Sequence, residues 1–317
     1  MREPGSPPIA DSGSFSRLRR AFRGTLVWYG FVLPPLFLIL VFIAYPTLLA
    51  FEQSVFTEVP GGPPKFAGGY HFYRLFSSNV FWGAMANTVL LGAAFMLIML
   101  PLSTVLASML NRLRRGSTPL KVIYFLPQLT SSVAVAIMFN YVFQPDWGLL
   151  NGFLRQIGVS QPPLWLADPR YNLTGSRAAA TLLAVWAGLG YYIIVLLAGL
   201  QSIQRDLYDA AAIDGANPLQ AWWHITLPSL RPTFIFLIMT GTIDALSRFS
   251  DLWTLGGPGG SPARSLQSIV MFLFQTGFVG SDFSLAAATA VVFFVIVLVV
   301  TSIAFWGFLR REFRAVR

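Results

Sequence analysis

Four polar residues lie at helical spacing inside an otherwise apolar segment of the chain. Asp244, Ser247, Arg248 and Asp251 follow an i, i+3, i+4, i+7 pattern, which places their side chains on one face of a continuous helix. Such groups are costly in an apolar environment and mark functional sites by default. Two interpretations stay open: Asp244 and Arg248 form a structural ion pair between helices, or all four side chains form a hydrophilic stripe that contacts a polar solute.

Residue types that usually carry out catalysis are scarce. The chain has no cysteine, and its histidines, His71 and His224, are isolated, so we predict neither a metal site nor a general base. The two lysines, Lys65 and Lys121, do not belong to a glycine-rich phosphate-binding loop. We therefore expect no catalytic residue, no metal and no bound ATP in this chain.

The composition is that of an integral membrane protein. Charged residues make up 11% of the 317 residues and the mean hydropathy is +0.63, whereas a globular enzyme carries about 25% charged residues. The formal net charge is +9. Basic residues at the ends of apolar segments usually orient a membrane protein, and we favour this explanation of the charge over nucleic-acid binding.

Six apolar runs of about 20 residues are long enough to cross a bilayer. Each must be helical, because an open sheet edge could not satisfy its backbone groups in lipid. Prolines predict kinks in the first three runs, at Pro34, Pro35, Pro46, Pro101 and Pro127. The predicted fold is thus an all-α membrane domain over residues 28–309 with six transmembrane helices, at 28–51, 86–110, 120–143, 178–203, 232–252 and 285–309.

Basic residues are distributed unequally between the connecting segments. Fifteen lie in the first 27 residues, in the connection after the second span, around the connection after the fourth span and in the C-terminal tail, whereas six lie in the other connections. The positive-inside rule therefore predicts two cytoplasmic termini. Residues 1–27 are predicted to form a flexible cytoplasmic tail and 310–317 a basic one. No internal repeat supports an inverted-repeat carrier.

The segment between the fourth and fifth spans has the capping and turn residues of a helix–turn–helix. Asp206 can cap a first helix, Gly215 can take the left-handed closing conformation, and Asn217 can cap a second helix with Pro218 at its first position. Pro228 is predicted to end that helix. Its large apolar residues indicate a face that becomes buried: Leu219, Trp222, Trp223 and Ile225.

This segment resembles the EAA loop of permease subunits of bacterial ATP-binding cassette importers. Ten residues occupy the positions of that motif: Asp209, Ala210, Ala211, Asp214, Gly215, Ala216, Trp222, Ile225, Leu227 and Pro228. Asp209 and Trp222 depart from the usual Glu and Phe. Stretches such as "FLPQLTSSVAVAIMFNYVFQPDWGLLNGFL" and "LGGPGGSPARSLQSIVMFLFQTGF" resemble carbohydrate-type members, so the similarity covers most of the chain. The segment from Phe249 to "GGP" is slightly short, which leaves the register of the fifth span open.

The resemblance implies a permease in which residues 205–230 form a coupling helix pair. In such importers this loop docks in a cleft of a separate ATPase subunit and transmits its closure to the membrane helices, and an amphipathic helix in a groove is a common recognition mode. The implied partners are a second, homologous permease, two ATPase subunits that bind ATP and Mg, an external solute-binding protein and the lipid of the bacterial inner membrane. The chain itself would not be an enzyme.

The resemblance also indicates a solute path. In maltose-type permeases the equivalent part of the fourth span contributes to the sugar site, and Tyr192, next to Tyr191, lies at a substrate-contacting position, although tyrosines also pack between helices. The polar stripe of the fifth span would then line the path. The positive charge of Arg248 is also compatible with an anionic solute such as a sugar phosphate. Asn87 and Asn140 are weaker candidates, since either can tie helices together.

A self-contained secondary carrier or channel for a polar solute is the alternative function. Its hairpin would pack only on its own membrane helices, and it would need no ATPase.

Overall fold

The computed structural model describes residues 29–59, 61–113, 117–167 and 173–315. The predicted tail at 1–27 therefore lies outside the described residues. The chain divides into two compact units, Met1–Gln53 and Ser54–Arg317. Helix α1, Tyr29–Val55, forms the described part of the first unit and ends in the second. A π turn at Leu40–Ala44 comes just before Pro46, where a regular helical hydrogen bond cannot form because proline has no N–H.

In the described residues of the second unit, the regular structure is helical apart from one short antiparallel ladder. Strands β1 (Phe56–Thr57) and β2 (Lys65–Phe66) pair with Phe56 opposite Phe66. The helices in chain order are α2 (Tyr70–Phe76), α3 (Asn79–Arg112), α4 (Ser117–Phe125), α5 (Ser132–Val142), α6 (Leu149–Gln156), α7 (Leu173–Gln201), α8 (Arg205–Ile213), α9 (Pro218–Ala221), α10 (Leu227–Ser229), α11 (Arg231–Leu246), α12 (Ser250–Gly256), α13 (Ile269–Phe274) and α14 (Phe283–Ala315). Shorter turns complete them: 3₁₀ turns at Leu126–Leu129 and Trp165–Ala167, and π turns at Trp222–Thr226 and Gln275–Val279.

Four helices of the described residues are long and apolar enough to cross a membrane. They are Tyr29–Val55, Asn79–Arg112, Thr174–Gln201 and Phe283–Trp306. A bent pair, Thr118–Leu129 and Ser132–Val142, makes a fifth if it counts as one span, and its two parts meet at 99°. Pro127 lies in the 3₁₀ turn before that bend, so the kink predicted for the third run is confirmed.

The predicted continuous fifth span at 232–252 is wrong. Helix α11 ends at Leu246 after 16 residues, and α12 starts only at Ser250. Sixteen residues are fewer than the about 20 that cross a bilayer. The interruption has a tertiary cause, because the Ser268 hydroxyl donates a hydrogen bond to the carbonyl of Arg248, 2.8 Å away, inside the break.

The core of the second unit lies between α3, α7 and α11. Met99, Ile193 and Leu237 are fully buried there. Glycines allow close approach: a side chain at Gly190 would overlap the backbone at Tyr124, in α4. Small residues at helix interfaces are the usual means of tight packing in membranes, where lipid removes most of the hydrophobic drive for helix association.

Candidate functional site

The turn of the EAA-like segment has the predicted left-handed glycine. Gly215 has φ +78°, and the N–H of Ala216 returns to the carbonyl of Ala211 at 2.9 Å. This bond satisfies a carbonyl at the end of α8 that has no partner within the helix. A side chain at Gly215 would meet nothing within 4 Å, so glycine is favoured here by backbone conformation and not by lack of space.

The start of α9 is capped as predicted. The Asn217 side chain accepts hydrogen bonds from the N–H groups of Leu219 and Gln220, at 3.0 and 2.8 Å, and the backbone N–H of Asn217 donates to the Gln220 side-chain oxygen at 2.8 Å. Pro218 occupies the first helical position. In α8, by contrast, Gln204 is the capping residue and Asp206 lies in the first turn, so the predicted cap at Asp206 is wrong.

Pro228 does not end the second helix. A π turn at Trp222–Thr226 follows α9, and Leu227–Ser229 continues it as α10. Pro228 lies in the first turn of α10, where a missing N–H is tolerated. The helical backbone therefore continues almost to the start of α11 at Arg231, and it joins the hairpin to the membrane domain without a flexible linker.

The inner face of the hairpin is bonded to the membrane helices. The indole N–H of Trp222 donates to the Ser108 hydroxyl on α3 at 3.0 Å. Within the hairpin, the Tyr208 hydroxyl on α8 bonds to that of Thr226 at 2.9 Å. The remaining inner positions of the motif are half-buried: Ala211, Ala216, Ile225, Leu227 and Pro228.

The outer face of the hairpin exposes large apolar side chains beside acidic ones. Ile213 is 87% exposed and Trp223 is 57% exposed, and Leu219 is also exposed. Asp209, Ala210 and Asp214 of the same hairpin are exposed as well. Single exposed apolar residues are common, whereas several large ones in one short segment are typical of a surface that contacts a protein, a membrane or a ligand.

The four polar residues of the predicted stripe do not share one helical face. Asp244 lies near the end of α11 and Ser247 just after it, and both are exposed. Arg248 lies in the break and forms an ion pair with Asp251 of α12, where the two side chains are 10% and 12% exposed. Arg248 also donates to the carbonyl of Ala180 on α7 at 2.9 Å. The ion pair is therefore Arg248–Asp251, not Asp244–Arg248.

The two tyrosines of α7 differ in their surroundings. Tyr192 is 3% exposed and its hydroxyl donates to the Met96 sulfur at 3.7 Å. Its ring packs edge-on against Phe95, and its hydroxyl lies so close to Gly241 of α11 that a side chain there would overlap it. Tyr191 is half-buried, with its ring edge-on to that of Tyr192. These contacts favour the packing role for Tyr192.

A polar network that the sequence alone does not reveal joins α3 and α7 to the loop before α13. The Asn87 amide donates to the carbonyls of Arg264 and Gln267, at 2.7 and 3.2 Å. Its oxygen accepts a bond from Arg177 of α7 at 2.7 Å. Asn140 similarly donates to the carbonyl of Thr254 at 3.1 Å. Both asparagines thus tie elements together, and their position inside apolar runs was the available signal.

Titratable side chains do not assemble into a catalytic or metal site in the part of the chain that the structure describes. No group of three or more His, Cys, Asp or Glu could hold an ion there. His224 is exposed and bonds to the Gln220 carbonyl at 2.9 Å, one helical turn away. The remaining candidates for a functional contact are therefore the hairpin and the polar groups at the end of α11.

Comparison with known protein families decides between the possible functions. Residues 99–314 match the family described as the inner membrane component of binding-protein-dependent transport systems. The chain belongs to this family. It is therefore a membrane permease subunit of an importer, and its relatives are transport proteins rather than enzymes.

Similar proteins cover nearly the whole chain. It is 34% identical over 281 residues to the lactose transport system permease LacF of Rhizobium radiobacter. The aligned residues cover 88% of this chain and 91% of that protein. The chain is 33% identical over 295 residues to the trehalose/maltose permease MalF of Thermococcus litoralis, spanning 91% and 95%.

A solved structure has the same architecture. The structure of a bacterial alginate ABC transporter in complex with an alginate pentasaccharide-bound periplasmic protein contains a chain that is 27% identical, with a TM-score of 0.76 and coverage of 91% of this chain and 96% of that one. The family resemblance predicted from the EAA-like motif is confirmed, and this permease acts with a binding protein, as the family description states.

Proposed function

We propose that this permease forms half of the translocation path of a sugar importer and couples it to ATP hydrolysis through the hairpin at 205–230. Its partners are a second, homologous permease, two ATPase subunits that bind ATP and Mg, and an external solute-binding protein. The observation that carries the proposal is the two-sided hairpin. Its inner face bonds to α3 through Trp222, while Ile213 and Trp223 stay exposed on the outer face.

The hairpin is built to transmit movement. Its turn is fixed by Gly215 and the Asn217 cap, and its second helix runs into α11 through α10. A rigid element that contacts an ATPase on one face and membrane helices on the other can shift those helices when the ATPase closes. We place both termini and the hairpin on the cytoplasmic side, in line with the distribution of basic residues.

The six-span topology remains part of this proposal. The bent pair α4–α5 supplies the third span, and α11 with α12 supplies the fifth as a broken span. Non-helical backbone at membrane depth is tolerated where it is buried in protein or lines a cavity. A break at residues 247–249 therefore fits a position beside the solute path better than one facing lipid.

We infer that the solute is a sugar or a related neutral polar molecule. Asp244 and Ser247 are exposed at the end of α11. There the Asp244 carboxylate can accept hydrogen bonds from solute hydroxyl groups, and the Ser247 hydroxyl can donate or accept them. The sequence made Arg248 a candidate for binding an anionic solute. In the structure Arg248 is paired with Asp251, so its charge is already balanced. The relatives include permeases for neutral sugars, lactose and trehalose or maltose, and for the anion sn-glycerol-3-phosphate, so the preference for a neutral solute rests on the pairing of Arg248 with Asp251.

Reconstitution tests the function against a secondary carrier. The permease pair, the ATPase subunits and the binding protein are placed in proteoliposomes, and uptake of labelled lactose and maltose is measured with internal ATP. We expect uptake of at least one sugar that stops when ATP, the ATPase or the binding protein is omitted. Uptake by this chain alone, driven by a proton or sodium gradient, would contradict the proposal.

A further inference from the structure

Two neighbouring cavities between α3 and α7 share one residue, Arg177. The first cavity, of about 350 Å³, lies between the start of α3 and the loop at 263–267; its lining is mostly apolar but includes Asn79, Asn87, Arg177, Arg264 and Gln267. The second, of about 430 Å³, is a mostly apolar groove along α3 and α7; Leu90, Leu91, Ala94, Ile98, Ala178 and Leu182 line it, together with Thr174, Thr181 and Arg177. The two cavities meet at Arg177.

Arg177 has an unused donor at the junction of the two cavities. One of its terminal nitrogens donates to the Asn87 oxygen at 2.7 Å, but its Nε is buried and has no hydrogen-bond partner among the described residues. Buried N–H groups of charged side chains are rarely left without an acceptor, because their desolvation is costly. The Arg177 Nε is therefore available to an anion that enters the cavities.

The charge of the arginines that line the first cavity favours an anion. Arg177 and Arg264 both line it, and no acidic side chain lines either cavity among the residues that the structure describes. Arg264 is exposed, and its backbone is held in a left-handed conformation with φ +61°. Guanidinium groups are well suited to phosphate because they present several donors in a plane.

The groove is long enough to hold much of one acyl chain. Leu90 and Ile98 line it along α3, eight positions apart. At about 1.5 Å per residue they are separated by about 12 Å, somewhat less than half of the about 30 Å hydrocarbon thickness. A mostly apolar groove that shares Arg177 with a cavity lined by Arg264 has the polarity of a phospholipid.

We propose that this site binds one phospholipid with an anionic headgroup. Its phosphate accepts hydrogen bonds from Arg177 and Arg264, and one acyl chain lies in the groove between α3 and α7. The bound lipid holds the loop at 263–267 against both helices. This inference depends on the chain spanning the membrane and not on which face of the membrane carries the hairpin or on which solute is transported.

Native mass spectrometry of the assembled importer tests the site, with phosphatidylglycerol, phosphatidylcholine and free glycerol phosphate as probes. We expect one phosphatidylglycerol to be retained per copy of this chain. Arg264→Gln should weaken its binding about tenfold, as expected for a lost charged hydrogen bond. Ala94→Phe, which fills the groove, should abolish retention of the lipid.

Matched variants make the result specific. Ala93→Phe adds the same bulk at an exposed neighbouring position that does not line the groove, and Lys65→Gln removes an exposed charge from β2. Both should bind phosphatidylglycerol like the unchanged protein. The proposal is overturned if no lipid is retained, if phosphatidylcholine binds equally well, or if glycerol phosphate binds the Ala94→Phe variant as tightly as phosphatidylglycerol binds the unchanged protein. The last result would identify a free-anion site instead.

Discussion

The indole N–H of Trp222 donates a hydrogen bond to the Ser108 hydroxyl at 3.0 Å and thereby links the hairpin to α3. The Ser108 hydroxyl in turn donates to the carbonyl of Thr104, one turn earlier, at 2.7 Å. The motif usually has Phe at the position of Trp222, which could not make this bond. The tryptophan therefore adds a polar contact within the chain, in addition to the larger ring that the sequence showed.

Trp222→Phe should loosen the hairpin without unfolding it. The lost hydrogen bond is worth about 1 kcal/mol, so amide hydrogen exchange of residues 218–229 should accelerate about fivefold. Hydrogen-exchange mass spectrometry of the permease without the ATPase subunits measures this change, so that contacts of the outer face do not contribute. Trp223→Phe is the matched control, since Trp223 is 57% exposed, and equal exchange in both variants would show that the Ser108 contact does not stabilise the hairpin.

Gly215→Val should uncouple the importer while leaving it assembled. Valine in the left-handed conformation costs about 1–2 kcal/mol, and no neighbour lies close enough to add a clash. We expect a sharp fall in solute-stimulated ATP hydrolysis by the purified complex. Gly215→Asn is the control because Asn tolerates this conformation; stimulation that is unchanged in the valine variant would rule out a coupling role for this turn.

Local signals made the hairpin predictable, whereas the fifth span depends on tertiary contacts. Gly215 and the Asn217–Pro218 cap act through their own backbone, and the structure has both as predicted. The break at residues 247–249 contains no proline or glycine, and it forms where Ser268 and Asp251 bond to Arg248. Helical spacing predicts a shared face only while the helix is continuous, so the grouping of Asp244 with Arg248 failed.

The bend of the third span and the buried hydrogen bonds between helices show the same difference between local signals and tertiary contacts. Pro127 signalled the bend of the third span, because proline removes a helical hydrogen bond wherever it occurs. The acceptors of Asn87 are carbonyls about 180 positions later in the chain, and no local pattern identifies such a partner. The role of Ser108 was equally hidden, since it depends on where the hairpin packs.

Asp251→Asn should impair assembly, whereas Asp244→Asn should impair transport alone. The first leaves the Arg248 charge buried without its ion pair, which costs roughly 3–5 kcal/mol, so the yield of assembled complex and its melting temperature should fall. The second changes an exposed carboxylate, so assembly should be normal while sugar uptake falls. Size-exclusion chromatography and uptake assays separate the two. Normal uptake in Asp244→Asn would remove this residue from the solute path.

His71 should make the segment before α3 sensitive to acid. Burial lowers the pKa of His71 below its usual value of about 6.5, and the charge of Arg74 lowers it further, while Asp282 and the backbone of Phe56 oppose the shift. The unfolded segment therefore takes up a proton at a higher pH than the folded one does. Stability is fully present above about pH 6.5 and is lost as the pH falls through that value toward the lower folded pKa.

Hydrogen exchange of Tyr70–Phe76 measures this effect. After correction for intrinsic rates, protection should be lower at about pH 5.5 than at about pH 7.5. In the folded protein His71 Nε2 lies 2.8 Å from the Thr57 hydroxyl, and His71→Gln keeps a polar side chain there without the titration. That variant should lose the pH dependence, whereas His224→Gln, in the hairpin, should keep it. A pH dependence that survives in His71→Gln would assign it to another group.

Cross-linking from the exposed face of the hairpin tests the central claim most directly. The chain has no cysteine, so Ile213→Cys, at a position that is 87% exposed, gives it a single site for a photoactivatable label. Phe153→Cys, at an exposed position in α6, is the control on the proposed external side. We predict that the label at residue 213 alone forms a covalent adduct with the ATPase subunit and that this adduct abolishes ATP-driven uptake. An ATPase adduct from residue 153 but not from 213, or an adduct at 213 that leaves uptake unchanged, would contradict coupling through this hairpin.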